Sequence, residues 1–314
     1  MSPRGVGGYV RSRLTDPVQA DQERDEPALL LFLLLTIGGS WLAAASLFAL
    51  IQGPADAPLI TRLLATSLVY GATMGWQPLV ASLLVQRWLG GPLLRGAQLQ
   101  APGALIAVGA LLALGLVSCA ALLAWAGGLV GLPAPGSLHG APEPELAGLA
   151  PSPGAAAALL LAFLAAALSL WIQCLSEELG WRGFFLERLM RALGPTQGLL
   201  LHGAVWGLWY APLLVYAGPA PGPPARLLVG AVLTCMLLGV FLGGLRLAFH
   251  SLVPALVANL TITLAAGLPY VLHGVDAGLR GAVFGPAGWV AAVGLSGALF
   301  AVRRREIAAA AEEL

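Results

Sequence analysis

Long apolar runs separated by short polar stretches dominate the chain. Runs near the roughly 20-residue length that lets a helix cross a hydrocarbon core recur at 28–51, 63–86, 103–130, 154–176, 199–217, 227–249, 251–272 and 284–302. Lipid offers no partner to an exposed strand edge, so all eight are expected to be helices. The sixth and seventh nearly touch, which places a tight turn around Arg246–Ser251. The predicted organisation is a solvated tail over 1–27, one helical bundle over 28–302 and a second tail over 303–314. Residues 1–27 mix both signs of charge with prolines, and the apolar run that follows is too long for a signal h-region, so no cleavable leader is read there. No repeat at a fixed period is visible.

Composition sharpens this picture. The chain is 58% hydrophobic and only 10% charged, with a mean hydropathy of +0.85, against about 25% charged residues in an ordinary soluble domain. A soluble enzyme and a disordered chain are excluded, and a net charge of +1 offers no footprint for nucleic acid. The expected class is an all-α, multi-pass protein of the cell membrane whose surface partner is lipid. Its 16 basic residues are all Arg. With the N-terminus inside, 13 of them (at 4, 11, 13, 24, 87, 95, 182, 188, 191, 246 and 303–305) fall on inner segments and three (Arg62, Arg226, Arg280) on outer ones. By the positive-inside rule both termini are then cytoplasmic. The three cysteines, Cys119, Cys174 and Cys235, lie in apolar runs and are expected to be free, buried thiols.

Charge enters an apolar region in one place, Ser176-Glu177-Glu178-Leu179-Gly180-Trp181-Arg182-Gly183-Phe184-Phe185-Leu186. A helix from 154 to 186 would be about 50 Å long, more than the roughly 30 Å hydrocarbon core, so the carboxylates are expected a turn or more inside the membrane. An intramembrane carboxylate is costly and is a functional candidate by default. Glu178 and Arg182 stand four apart and share a helix face, whereas Glu177 points about 100° away. One carboxylate can therefore be pinned by the arginine while the other is left desolvated as a general base. The competing reading is an ordinary surface ion pair at a cytoplasmic helix end.

The stretch Glu177-Glu178-x-x-Trp181-Arg182-Gly183, set among hydrophobic spans, resembles the first motif of the CPBP family, the intramembrane endopeptidases that include type II CAAX prenyl proteases and bacteriocin-processing or self-immunity proteins. The resemblance covers about 154–272. The family continues with an aromatic-x-x-x-His motif, often followed by proline, and ends on His-x-x-x-Asn. Here Trp206-Gly207-Leu208-Trp209-Tyr210-Ala211-Pro212 keeps the aromatics and the proline, with Tyr210 at the histidine position. Ser251-Leu252-Val253-Pro254 leads into the third motif, where Asn259 takes the histidine position and Thr263 that of the family asparagine.

The resemblance implies a glutamate that activates water against a peptide bond near the cytoplasmic face, and histidines that either ligate a metal or donate hydrogen bonds to the oxyanion. The catalytic set it implies is Glu177, Glu178, Arg182, Tyr210 and Asn259. Zinc wants about three strong protein ligands. Tyr and Asn are weak ones, so the family's metal dependence does not carry over directly and no cofactor is assigned. Tyr210 and Asn259 both retain a hydrogen-bond donor that could serve an oxyanion. His202, eight residues before Tyr210 on roughly the same helix face, reads either as a displaced ligand or as an interfacial histidine bonded to backbone or water. His139, His250 and His273 are assigned no chemistry. Trp181, Trp206, Trp209 and Tyr210 read either as interfacial anchors or as packing. Gly239-x-x-x-Gly243 points to close helix packing, and Arg303-Arg304-Arg305 to an inner anchor of the last span.

Three function classes follow: an endopeptidase acting on a membrane-proximal peptide or protein, a catalytically silent relative acting as a scaffold or immunity protein, and a transporter. The transporter reading lacks the pair of broken helices expected in corresponding halves. The topology is testable by reporter fusions. Those at 140 and 277 should report outside and those at 92 and 310 inside, and an odd number of crossings between 92 and 310 would sink the arrangement.

Overall fold

In a computed structural model the chain is described over residues 17–51, 71, 74–90, 98–99, 102–129, 168–212, 224–273 and 284–312. Among these residues every regular element is helical. Helix α1 (Pro17–Leu33) passes through a π segment (Leu34–Gly38) into α2 (Gly39–Ile51). Then come α3 (Gln77–Trp88), α4 (Gly103–Ala126), α5 (168–177), a second π segment (Glu178–Phe185) and α6 (Leu186–Leu193). They are followed by α7 (Pro195–Trp209), α8 (Pro224–Phe249), α9 (Val253–His273), α10 (Pro286–Val302) and α11 (Arg304–Glu312).

The fold is an all-α, polytopic membrane fold. Arg24–Ser46, Gly103–Ala126 and Ala225–Phe249 are each long and apolar enough to cross a membrane, and α10 with α11, bent by 82° at Arg303, makes a possible fourth. Leu111, Leu122, Val229, Val290 and Val293 are exposed on these helices, as side chains facing lipid should be. Parts of the expected spans at 63–86, 154–176 and 199–217, and the whole stretch 133–153 between the third and fourth apolar runs, lie outside the described residues.

Several boundaries differ from expectation. The first helix begins at Pro17, inside the stretch expected to be a solvated tail. Asp25 is buried there and pairs with Arg188 at 3.3 Å and Arg191 at 2.8 Å on α6. The sixth span runs on through Arg246 to Phe249, so the turn into α9 is His250–Leu252, with His250 at a φ of 48°. Arg246 is therefore a helix residue rather than a turn residue. Residues 304–312 form a short helix that buries Ile307 and Ala310. Its parent corner is held by Arg303, which donates to the Ala248 carbonyl at 2.8 Å. Cys174 and Cys235 are buried as expected, but Cys119 is exposed, and all three are free.

Close backbone approach holds the bundle together where α7 meets α8. A Cβ on Gly203 would lie 2.5 Å from the Met236 Cα, one on Gly207 2.6 Å from the Val232 Cα, and one on Gly239 2.9 Å from the Gly203 Cα. Without a hydrophobic driving force between helices in lipid, such small-residue seams supply van der Waals contact, so Gly239 does mark a packing face. Upstream, Gly194 (φ 81°) lets α6 turn directly into α7, with Pro195 opening the new helix. This turn sets the Glu-bearing helix and the Tyr210-bearing helix side by side. Gly180 plays the matching role at the second π segment, where a Cβ would lie 2.4 Å from the Pro78 backbone of α3. There the Ser176 hydroxyl accepts from the Leu79 N–H, an otherwise unpaired donor at the α3 start, at 3.2 Å.

Candidate active site

The second π segment carries the acidic motif. Glu177 ends α5 and Glu178 opens the segment. Both are buried, as are Arg182 and Asn259. Arg182 Nη1 donates to Glu178 Oε1 at 2.8 Å, and Asn259 Nδ2 on α9 donates to the same oxygen at 3.0 Å. The surface ion-pair reading is thus overturned: the pair is fully enclosed, and no water-facing helix end is involved. The Arg182 guanidinium also stacks 4.0 Å from the Trp206 ring centroid. Burial of this kind is sustainable only because the charges meet and the geometry is good.

Glu177 diverges from Glu178, as the 100° step demands, and faces α7. The Tyr210 hydroxyl, just past the end of α7, sits between its two oxygens, 3.1 Å from Oε1 and 3.2 Å from Oε2. Gln173 Nε2, one turn earlier on α5, lies 3.4 Å from Oε1. The five residues implied by the family resemblance therefore converge, in two layers. Glu178, Arg182 and Asn259 form a closed ion-pair layer, and Glu177, Tyr210 and Gln173 form a second, in which Tyr210 is only half-buried. Thr263, at the position of the family asparagine, donates to the Asn259 carbonyl at 2.8 Å, one turn back along α9.

The aromatic cluster is core rather than an interfacial belt. Trp181, Trp206 and Trp209 are buried. Phe32 of α1 packs against Trp181 with centroids 5.4 Å apart, and Trp209 Nε1 donates to Ser40 Oγ of α2 at 2.9 Å. His202 is not interfacial either. It is fully buried between Trp181 and Phe185, at centroid distances of 6.3 and 6.2 Å, and neither ring nitrogen has a partner among the described residues. Gln173 and Arg246 are polar contributors that sequence reading passed over. Arg246 was legible in principle, since an arginine inside an apolar span is a functional candidate by default.

These donors do not fit a zinc ion. Among the described residues no group of three or more His, Cys, Asp or Glu side chains is placed to hold a metal. Glu178 Oε1 already accepts from a guanidinium and an amide, and the remaining neighbours, Tyr and Asn, are poor zinc ligands.

Residues 157–265, about a third of the chain, match the family model described as Type II CAAX prenyl endopeptidase Rce1-like. No curated protein and no solved structure matches the chain.

The enclosed pair makes a quantitative demand. Arg182→Ala strands a buried carboxylate and should cost about 3–5 kcal/mol of stability in detergent, where an exposed pair would cost about 0–1 kcal/mol. Glu178→Gln with Arg182→Gln removes both charges and should cost clearly less than Arg182→Ala. Thermal unfolding of the three proteins decides it, and a negligible change for Arg182→Ala would contradict the enclosed arrangement.

Proposed function

We propose that this chain, whose residues 157–265 match the Type II CAAX prenyl endopeptidase Rce1-like family model, is a CPBP-type intramembrane endopeptidase that hydrolyses a membrane-proximal peptide with water activated by Glu177. The observation that carries this reading is the division of labour between the two carboxylates. Glu178 is locked by Arg182 and Asn259, whereas Glu177 faces the other way and accepts from the Tyr210 hydroxyl and the Gln173 amide.

In the proposed reaction Glu177 takes a proton from water as the water oxygen bonds to the peptide carbonyl carbon. The carbonyl oxygen becomes an oxyanion, and the carbon–nitrogen bond then breaks as the Glu177 proton passes to the leaving amine. Arg182 and Glu178 act through Asn259, whose Nδ2 carries a second hydrogen beyond the one given to Glu178. Asn259 is therefore the better-placed oxyanion donor. The Tyr210 hydroxyl orients Glu177 in the resting site and becomes a second donor once Glu177 is protonated. The donor set does not fit a zinc ion, so no step is routed through a metal.

The substrate class we propose is a peptide presented at the cytoplasmic face, either a prenylated C-terminal tail or a small secreted peptide, with both termini of the enzyme in the cytoplasm of a cell-membrane, multi-pass protein. The replacement of both family histidines favours a second reading, a silent relative that retains the ion pair as a structural element.

One comparison separates the two. Wild-type protein in detergent should cleave such a peptide, and chelators should not reduce the rate. Tyr210→Phe should lower kcat by about 100-fold, the usual scale for one oxyanion-hole donor, and Glu177→Gln should abolish cleavage. Absence of cleavage by the wild type supports the silent relative. Cleavage that persists in both Glu177→Gln and Glu178→Gln places the chemistry elsewhere.

A further inference from the structure

We infer that Arg246 is a positioning residue for the acidic motif: it caps the one backbone carbonyl released by the π segment and so holds the register that aims Glu177 at Tyr210 and Glu178 at Asn259. This inference rests on the endopeptidase reading only for its consequence in catalysis, not for its geometry.

A helix that changes from i→i−5 back to i→i−4 hydrogen bonding skips one carbonyl. In the second π segment the Leu186 N–H bonds to the Trp181 carbonyl, five residues back, and α6 resumes α spacing from Leu186. The skipped acceptor is the Arg182 carbonyl. A buried carbonyl without a partner costs free energy comparable to a lost hydrogen bond, and in an apolar bundle it has no water to turn to. Arg246 Nε, on α8, donates to that carbonyl at 3.0 Å. The remaining nitrogens of the same guanidinium are held in place: Nη1 donates to Gln98 Oε1 at 3.1 Å, and Nη2 pairs with Glu187. Gln98 is fixed in turn, its carbonyl accepting from Ser251 Oγ at 3.0 Å and from the Leu252 N–H at 3.2 Å. Arg246 is itself buried. A rigid fork of five donors suits one planar group to a carbonyl, an amide oxygen and a carboxylate at once, and lysine lacks that geometry.

The register matters because the insertion stands between the two halves of the motif helix. If the π segment collapsed to α spacing, everything upstream would turn by about 100° relative to α6. Glu177 would leave Tyr210, and Glu178 would leave Asn259. Upstream of the insertion the Cys174 side chain neighbours Thr263 of α9, so that proximity reports the register without any reference to activity.

The experiment uses full-length protein with Cys119→Ser, Cys235→Ser and Thr263→Cys, so that Cys174 and the introduced cysteine can be oxidised to a disulfide and read by gel shift. A parallel series with native Thr263 is assayed for peptide cleavage. In the parent the disulfide should form. In Arg246→Gln and in Arg246→Lys it should be lost or fall severalfold, while Glu187→Gln, which keeps the bond to the Arg182 carbonyl, should retain it. In the cleavage series Arg246→Lys should lower kcat by about 100-fold, the scale of an ångström-sized misplacement, with KM nearly unchanged. Undiminished disulfide formation in both Arg246 variants overturns the inference, as does failure of the parent to cross-link or an equal loss in Glu187→Gln. If the wild type cleaves nothing, the endopeptidase reading fails while the disulfide series still decides the role of Arg246.

Discussion

The arrangement depends on one interaction, the enclosed pair between Glu178 and Arg182. Two charges removed from water each carry a penalty of several kcal/mol, which their attraction offsets only when geometry is good and the remaining polar atoms find partners. The chain meets that condition unevenly. Glu178 Oε1 accepts from Arg182 and Asn259, and the guanidinium rests on the Trp206 face, but Glu178 Oε2 and Arg182 Nη2 have no partner among the described residues. A purely structural pair would gain by being replaced with apolar side chains of similar volume. Stability alone therefore does not account for this incompletely satisfied ion pair, and a second buried carboxylate, Glu177, stands one residue away.

Everything around the pair serves to hold those two carboxylates apart in direction. Gly194 folds α6 directly back onto α7, which brings Tyr210 to Glu177. The glycine seam along Gly203, Gly207 and Gly239 presses α7 onto α8, and α8 delivers Arg246 to the Arg182 carbonyl. Gly180 admits the Pro78 backbone of α3 against the π segment. A π insertion shifts side-chain phase within an otherwise regular helix and is common at functional sites. Here it lets one helix present Glu177 to α7 and Glu178 to α9.

Much of this was legible in the sequence, and the rest was hidden for identifiable reasons. The helical, membrane-embedded class followed from apolar run length and charge content, and the Glu178–Arg182 pair from its four-residue spacing. The positions of Tyr210 and Asn259 came through motif resemblance alone, because no periodicity links residues on three separate helices. The π insertion left no trace, since it alters hydrogen-bond spacing without altering the i, i+4 pairing that the motif displays. Arg246 was assigned to a turn because two apolar runs met there, and its value as a charge-topology marker masked its role inside the bundle. His202 was expected at the interface from its place near a helix start, but the fold wraps Trp181 and Phe185 around it. The mixture of both signs of charge with prolines over 1–27 points to a solvated tail, but Asp25 finds both its arginines some 160 residues away, a pairing that no local pattern displays.

Under the proposed function Glu177 hydrolyses a peptide at the membrane while Glu178 stays locked by Arg182 and Asn259. The most direct measurement is a mass-spectrometric comparison of peptide termini in membranes of cells carrying the wild-type chain or Glu177→Gln at equal abundance. The account predicts that at least one uncleaved membrane-associated precursor accumulates with Glu177→Gln and that its new terminus disappears. Identical termini in the two membranes would contradict it.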